Sequence, residues 1–309
     1  MATPVSTAPG RGAPPRATTK RRREGWAALG FLTPSMGGLL LFTLVPMVGS
    51  LVISFFAWPV LGERTFTGLD NFRQLFVEDP IFRQVMLNTV VFVLAYVPLN
   101  LAVSMGLAVW MSPRIKARGL YRLLFFIPTV TPMVANALVW RLLLQPGGVF
   151  DNAAQSVGLQ APNFLGDTRW AMASLILMSV WQGFGYNMLV FSAGLDAIPE
   201  TILEAAAIDG AGPWRRFWSV TLPMMSPAIF FAMVMTLITS FQVFVQPYIL
   251  TNGGPGVTTT TMVLYLYRTG FQFFNLGLAS AVAWMLFVII MLVTALQFVG
   301  QKRWVNYDS

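Results

Sequence analysis

A chain of 309 residues that is 56% hydrophobic and only 10% charged falls far below the roughly 25% charged residues of a soluble domain. It has no cysteine and no histidine, which excludes disulfides, thiolate nucleophiles, His- or Cys-held zinc or haem, and histidine-based catalysis. A net charge of +8 would suit nucleic acid, but the basic residues are placed as membrane topology requires, so no nucleic-acid partner is expected.

Taken in chain order, residues 1–24, MATPVSTAPGRGAPPRATTKRRRE, are rich in Pro, Ala, Thr and Arg and predict a disordered basic tail. The apolar run after it exceeds the roughly 7–15 residues of a cleaved signal sequence. Six apolar runs follow within 25–309, at about 27–56, 85–111, 119–144, 170–195, 227–250 and 276–299. Each reaches the roughly 18 residues that read as a membrane span. Lipid admits only helices and closed barrels, and the short alternating strands of a barrel are absent from the pattern. The expected fold class is therefore an all-α polytopic membrane protein with six transmembrane helices. Pro34, Pro46, Pro98, Pro128 and Pro132 lie in the first three runs and predict kinks.

With the N-terminus inside, fourteen of the 20 basic residues fall on inner segments and six on outer ones, while the acids divide evenly. That is the positive-inside pattern, and it makes both termini cytoplasmic.

No Asp or Glu lies between Asp79 and Asp151, Asp167 and Asp196, or Asp209 and Asp308. The spans thus lack the intramembrane carboxylate that proton-coupled carriers commonly use. A phosphate loop needs a Gly-Lys pair, and Lys20, Lys116 and Lys302 all lack a preceding glycine. Energy for uphill work would have to arrive from another chain.

Between the fourth and fifth runs stands EAAAIDGAGPWRRFWSVTLP, Glu204 to Pro223. Pro199, Glu200 and Glu204 suit a helix start, and Gly210 a helix stop. Trp214, Phe217 and Trp218 form an apolar stripe at helical spacing. The expectation is a short helix, a turn and a second short helix across 198–223 on the cytoplasmic face. An amphipathic helix lying in the headgroups is the plainer alternative, but Ala205, Ala206 and Ala207 bring little lipid-binding bulk.

The spacing Glu204-Ala205-Ala206, Gly210, Val220, Leu222-Pro223 resembles the EAA loop of binding-protein-dependent ABC importer permeases, with Val220 where isoleucine is usual. Asp209-Gly210-Ala211 and Ile198-Pro199 agree with the carbohydrate branch. FTGLDNF (66–72), FFIPTVTP (125–132), GLDAIPE (194–200) and LTNGGPG (250–256) look like landmarks of the same family, and the last is similar to the first permease subunit of maltose- and glycerol-phosphate-type systems. The resemblance implies a type I importer permease of a bacterial or archaeal plasma membrane. It implies a second homologous permease, an ATPase dimer that uses ATP and Mg, an extracytoplasmic solute-binding protein, and surrounding lipid. The chain itself would catalyse no reaction and hold no cofactor or metal. Glu204, Ala205, Ala206, Asp209, Gly210, Leu222 and Pro223 would form the seat of the ATPase.

Span four places Ser179, Gln182, Gly183 and Tyr186 on one face, and span five carries Thr236, Thr239, Ser240, Gln242 and Gln246. Amides, hydroxyls and an aromatic ring suit a polyhydroxylated ligand, though such residues also serve as interhelical glue. Thr129, Ser179, Gln182, Gly183, Tyr186, Thr236 and Ser240 match sugar-contacting positions of the maltose-type permease by resemblance. Met133 and Val243 fall at such positions without a hydrogen-bonding side chain. With no basic residue at mid-span, a neutral sugar is favoured over glycerol phosphate or another polyol. A self-contained secondary carrier and a membrane scaffold remain the alternatives from other classes.

Overall fold

The computed structural model describes residues 17–111 and 115–306, with side chains described from residue 28 onward. The described residues divide after Val52 into two compact units.

The first unit is helical. α1 spans Ala17–Leu39, a wide turn occupies Leu40–Leu44, and α2 spans Val45–Ile53. The wide turn ends two residues before Pro46, which lacks the amide needed to continue a regular helix. Ala17 to Glu24, the last part of the expected tail, belong to α1. Lys20 and Arg21 to Arg23 are good helix formers once a long helix has met the cost of nucleation. Residues 1–16 of that expected tail lie outside the described residues.

In the second unit, a two-stranded antiparallel ribbon pairs β1 (Phe56–Ala57) with β2 (Thr65–Phe66). The first span, expected to reach residue 56, thus stops at Ile53. The short α3 (Asp70–Arg73) follows, then α4 (Pro80–Trp110). α4 starts earlier than expected because Asp79 caps it, accepting from the Ile81 and Phe82 amides at 2.8 and 3.1 Å with Pro80 in the first turn.

The third expected span is broken. α5 (Arg118–Val130) and the segment that opens with α6 (Met133–Leu144) are bent by 93° at Thr131-Pro132. Pro132 has no amide to offer the Pro128 carbonyl, so the Asn136 side chain donates to it instead at 2.9 Å. α7 (Val149–Ser156) and a loop lead to α8 (Ala171–Asp196), α9 (Glu200–Ile208), α10 (Pro213–Arg216) and α11 (Leu222–Met224).

The fifth expected span is also interrupted. α12 (Ser226–Phe241) ends, residues 242–244 are irregular, and α13 (Val245–Leu250) resumes. At this break the Val243 carbonyl accepts from the Thr261 hydroxyl at 2.9 Å. α14 (Met262–Tyr267) and α15 (Leu276–Gln301) complete the chain. Among the described residues, four helices are long and apolar enough to cross a membrane, and up to six if each of two bent pairs counts as one span.

α4 and α8 make the most extensive pairing, with α5 and α12 packed beside them. One core cluster joins Phe82, Phe92, Leu175, Phe241, Met262 and Met285, and a second gathers Met111, Met188, Phe191 and Met225. The 251–261 loop is tied down by α4. Asn88 donates to the Val257 and Thr260 carbonyls, and the Met262 amide donates to Thr89 Oγ1. Tyr265 donates to Asp79. Burial first, and that bond second, push its phenol above the usual tyrosine range, so it stays protonated as the donor.

Candidate functional site

Two regions hold the residues singled out from sequence. The first is the arm after α8. Pro199 precedes α9 in an extended conformation, and Glu200 opens the helix at its positive end. At the other end Gly210 has φ +79. The Asp209 amide donates to the Ala205 carbonyl at 3.0 Å, Gly210 to Ala207 at 3.1 Å, and Ala211 to Ala206 at 3.0 Å. This is a left-handed glycine stop, where any L side chain would be strained.

The arm presents an unburied surface. α9, α10 and α11 contain no buried residue. Glu204, Ala205, Asp209 and Gly210 are exposed, and Ala206, Leu222 and Pro223 half-buried. Ile208 is 86% exposed and Trp214 75%. Trp214 and Phe217 each pack edge-on against Trp218, at 5.7 and 5.5 Å. The arm is anchored just upstream: Arg118 and Arg122, one turn apart on α5, donate to the two Asp196 oxygens at 2.7 and 3.0 Å.

The second region is the α4–α8–α12 seam. Thr129 donates to the Gln182 carbonyl at 2.9 Å, where Gly185 lets α5 approach α8: a Cβ there would lie 2.6 Å from Thr129 Oγ1. A Cβ on Gly183 would collide with the Tyr96 hydroxyl and lie 2.9 Å from Asn100 Nδ2. Asn187 donates to Asn100 Oδ1 at 2.7 Å and to Thr236 Oγ1 at 2.8 Å, and Ser104 donates to the Phe184 carbonyl at 2.9 Å. Gln182 is buried, and its Oε1 has no partner among the described residues.

The structure therefore brings Thr129, Gln182, Gly183 and Thr236 together in one polar seam and scatters the rest. Ser179 and Ser240 bond to carbonyls of their own helices, Leu175 and Leu237, each at 2.7 Å. Met133 packs with Trp140, Met178 and Leu250, and Val243 with the first core cluster. Tyr186 is 44% exposed, and Gln242 is exposed at the end of α12. Tyr96, Asn100, Ser104 and Asn187 were missed by sequence reasoning. Their signal was available: all four carry an amide or a hydroxyl inside otherwise apolar runs, a placement that normally demands a partner.

A mostly helical bundle with broken apolar spans has the architecture of a multi-pass membrane protein. Residues 100–305 match the family described as the binding-protein-dependent transport system inner membrane component. The chain is 38% identical over 292 residues to the probable ABC transporter permease protein YesP of Bacillus subtilis (strain 168), covering 93% of this chain and 94% of that one. It is 32% identical over 296 residues to the lactose transport system permease protein LacF of Rhizobium radiobacter, with 93% and 98% covered. It is 37% identical over 246 residues to the sn-glycerol-3-phosphate transport system permease protein UgpA of Pectobacterium atrosepticum, with 79% and 82% covered. The fold is also that of a chain in the crystal structure of a bacterial ABC transporter involved in import of the acidic polysaccharide alginate, with TM-score 0.80, 22% identity, and 94% and 100% covered. The chain belongs to the binding-protein-dependent inner membrane component family, and it is a permease subunit of an ABC importer.

Proposed function

We propose that the chain forms half of the translocation pathway of a carbohydrate importer, beside a second homologous permease and above an ATPase dimer that binds ATP and Mg. The observation that carries this is the arm at α9. It exposes Glu204, Ala205, Ile208 and Trp214 with nothing covering them among the described residues. Small alanines let a partner come close to the backbone, Glu204 offers charge to a basic residue, and the Asp196 pairs transmit movement to α5 and α8. ATP-driven closure of the ATPase would then bias the bundle between inward- and outward-facing states. Charge placement supports cytoplasmic termini and arm, which leaves the start of α8 on the outer face, where a solute-binding protein would dock.

For the cargo, Gln182 with its unpartnered Oε1, Tyr186 and Gln242 are the polar groups best supported as contacts. Thr129, Gly183 and Thr236 hold the seam they stand on. Ser179 and Ser240 are bonded to carbonyls of their own helices, and half-buried Met133 would add apolar contact to a sugar ring, whereas Val243 is buried in the core. Likeness to LacF supports a sugar. Likeness to UgpA favours a phosphorylated polyol as second choice, against which stands the lack of charge on these faces.

The test is purification through a C-terminal tag under gentle solubilisation, with the retained proteins identified by mass spectrometry. A second permease and a P-loop ATPase are expected. Isolation alone, together with solute transport in vesicles without ATP, would contradict the proposal.

A further inference from the structure

At the end of the molecule opposite the arm, a pocket of ≈ 350 Å³ opens between the end of α6, the loop before α8 and the end of α13. α8 separates the two regions: its 26 residues rise about 1.5 Å each, so roughly 39 Å of helix lies between them. Arg141, Gln145, Asn163, Thr251 and Asn252 supply the polar part of the lining, and no acidic residue lines it.

The lining is biased toward donors. The Asn163 side-chain oxygen is occupied by the Gly166 amide at 2.8 Å. The Asn252 side-chain oxygen is occupied by Arg268 Nη2 at 3.1 Å. Both asparagines are thereby left with their N–H groups to offer. The Thr251 hydroxyl is bonded to the Pro247 carbonyl and to Thr259. The Arg141 guanidinium makes no hydrogen bond or ion pair among the described residues. The nearby acids are engaged elsewhere, Asp151 with the Gly147 amide and Gln155, and Asp167 with the Arg169 amide. A planar fork of donors, flanked by amide N–H groups and free of competing carboxylates, matches a carboxylate.

We propose that this pocket seats an acidic side chain of the soluble solute-binding protein and fixes its register on the permease. The proposal rests on the importer function above, which places a docking protein on this face. Charge complementarity selects that occupant: the pocket is open at the rim rather than lying along the uncharged seam, and a rim cation acts on encounter and orientation.

The experiment uses the purified complex in nanodiscs and the cognate binding protein, fluorescently labelled, with Kd read by anisotropy at low and high salt. Arg141→Gln should weaken docking by about tenfold or more and flatten its salt dependence. Arg141→Lys should recover part of the affinity, and basal ATP hydrolysis should not change. Arg169→Gln, which removes an exposed arginine outside the pocket, should dock as wild type does. Unchanged docking by Arg141→Gln overturns the proposal, as does an equal loss in Arg169→Gln, which would reflect overall charge. Saturable binding of free glucuronate that Arg141→Gln abolishes, with docking intact, would assign the pocket to a solute anion and also overturn it. A wild-type complex that docks no soluble protein overturns it together with the importer function beneath it, which distinguishes the two failures.

Discussion

The Asn187 amide of α8 donates to the Asn100 side-chain oxygen of α4 at 2.7 Å, between two buried residues in the interior of long apolar helices. The same amide reaches Thr236 of α12 at 2.8 Å, so one side chain joins three helices. In lipid, where apolar surface alone gives helices little reason to associate, such bonds and close packing hold a bundle together.

Replacing Asn187 with Ala should therefore destabilise the bundle. Interhelical bonds in membranes average about 0.6 kcal/mol and reach about 1.7, so loss of two should lower stability by roughly 1–3 kcal/mol. Reversible unfolding in mixed micelles measures it. Unchanged stability would show that the seam is not holding the helices.

Gly183 is where the seam comes closest. Ala at this position should cost about 1–3 kcal/mol through overpacking against the Tyr96 hydroxyl. Tyr96→Phe should partly relieve the defect, leaving the Asn100 contact at 2.9 Å. A double-mutant cycle by thermal unfolding reads the coupling. Additive losses would place the clash elsewhere.

How far this architecture could be read from sequence depends on which forces are local. The arm was legible because caps are local: Pro199, Glu200 and Gly210 announce their roles within a dozen residues. The six apolar runs were legible from composition, but the breaks inside two of them were not. Pro98 lies within unbroken α4, whereas Pro132 stands at a 93° bend. What separates them is tertiary. The carbonyl freed by Pro132 finds Asn136, and the break at Val243 finds Thr261 eighteen residues away. The polar seam was half legible for the same reason. Gln182 and Thr236 stand out on their own helices, while Asn187 gains meaning only once Asn100 is seen opposite it.

Gly210 tests the shape of the arm without touching its surface chemistry. A Cβ there would meet nothing within 4 Å, so the penalty of Gly210→Val is that of a left-handed backbone, about 1–2 kcal/mol. Uptake should fall with Val and be largely kept with Asn, which tolerates this conformation. Equal activity of the two variants would contradict a shape requirement.

Asp196 anchors the arm through two half-exposed pairs with Arg118 and Arg122, each worth at most about 1 kcal/mol. Asp196→Asn should leave insertion intact and speed hydrogen exchange of the 200–208 amides by about fivefold, the equivalent of roughly 1 kcal/mol. Added salt should shrink the difference between variant and wild type, since exposed pairs are screened. Identical exchange would mean that the pairs do not restrain α9.

The most direct test of the coupling role uses the absence of cysteine. Ala205→Cys introduces a single thiol on the exposed face of α9, and a photo-crosslinker attached there in native membranes captures whatever lies against the arm. The expected product is a P-loop ATPase, lost when Glu204→Lys is added while the chain still inserts. Crosslinks to lipid alone, or a product indifferent to Glu204→Lys, would contradict the assignment of this arm as the seat of the ATPase.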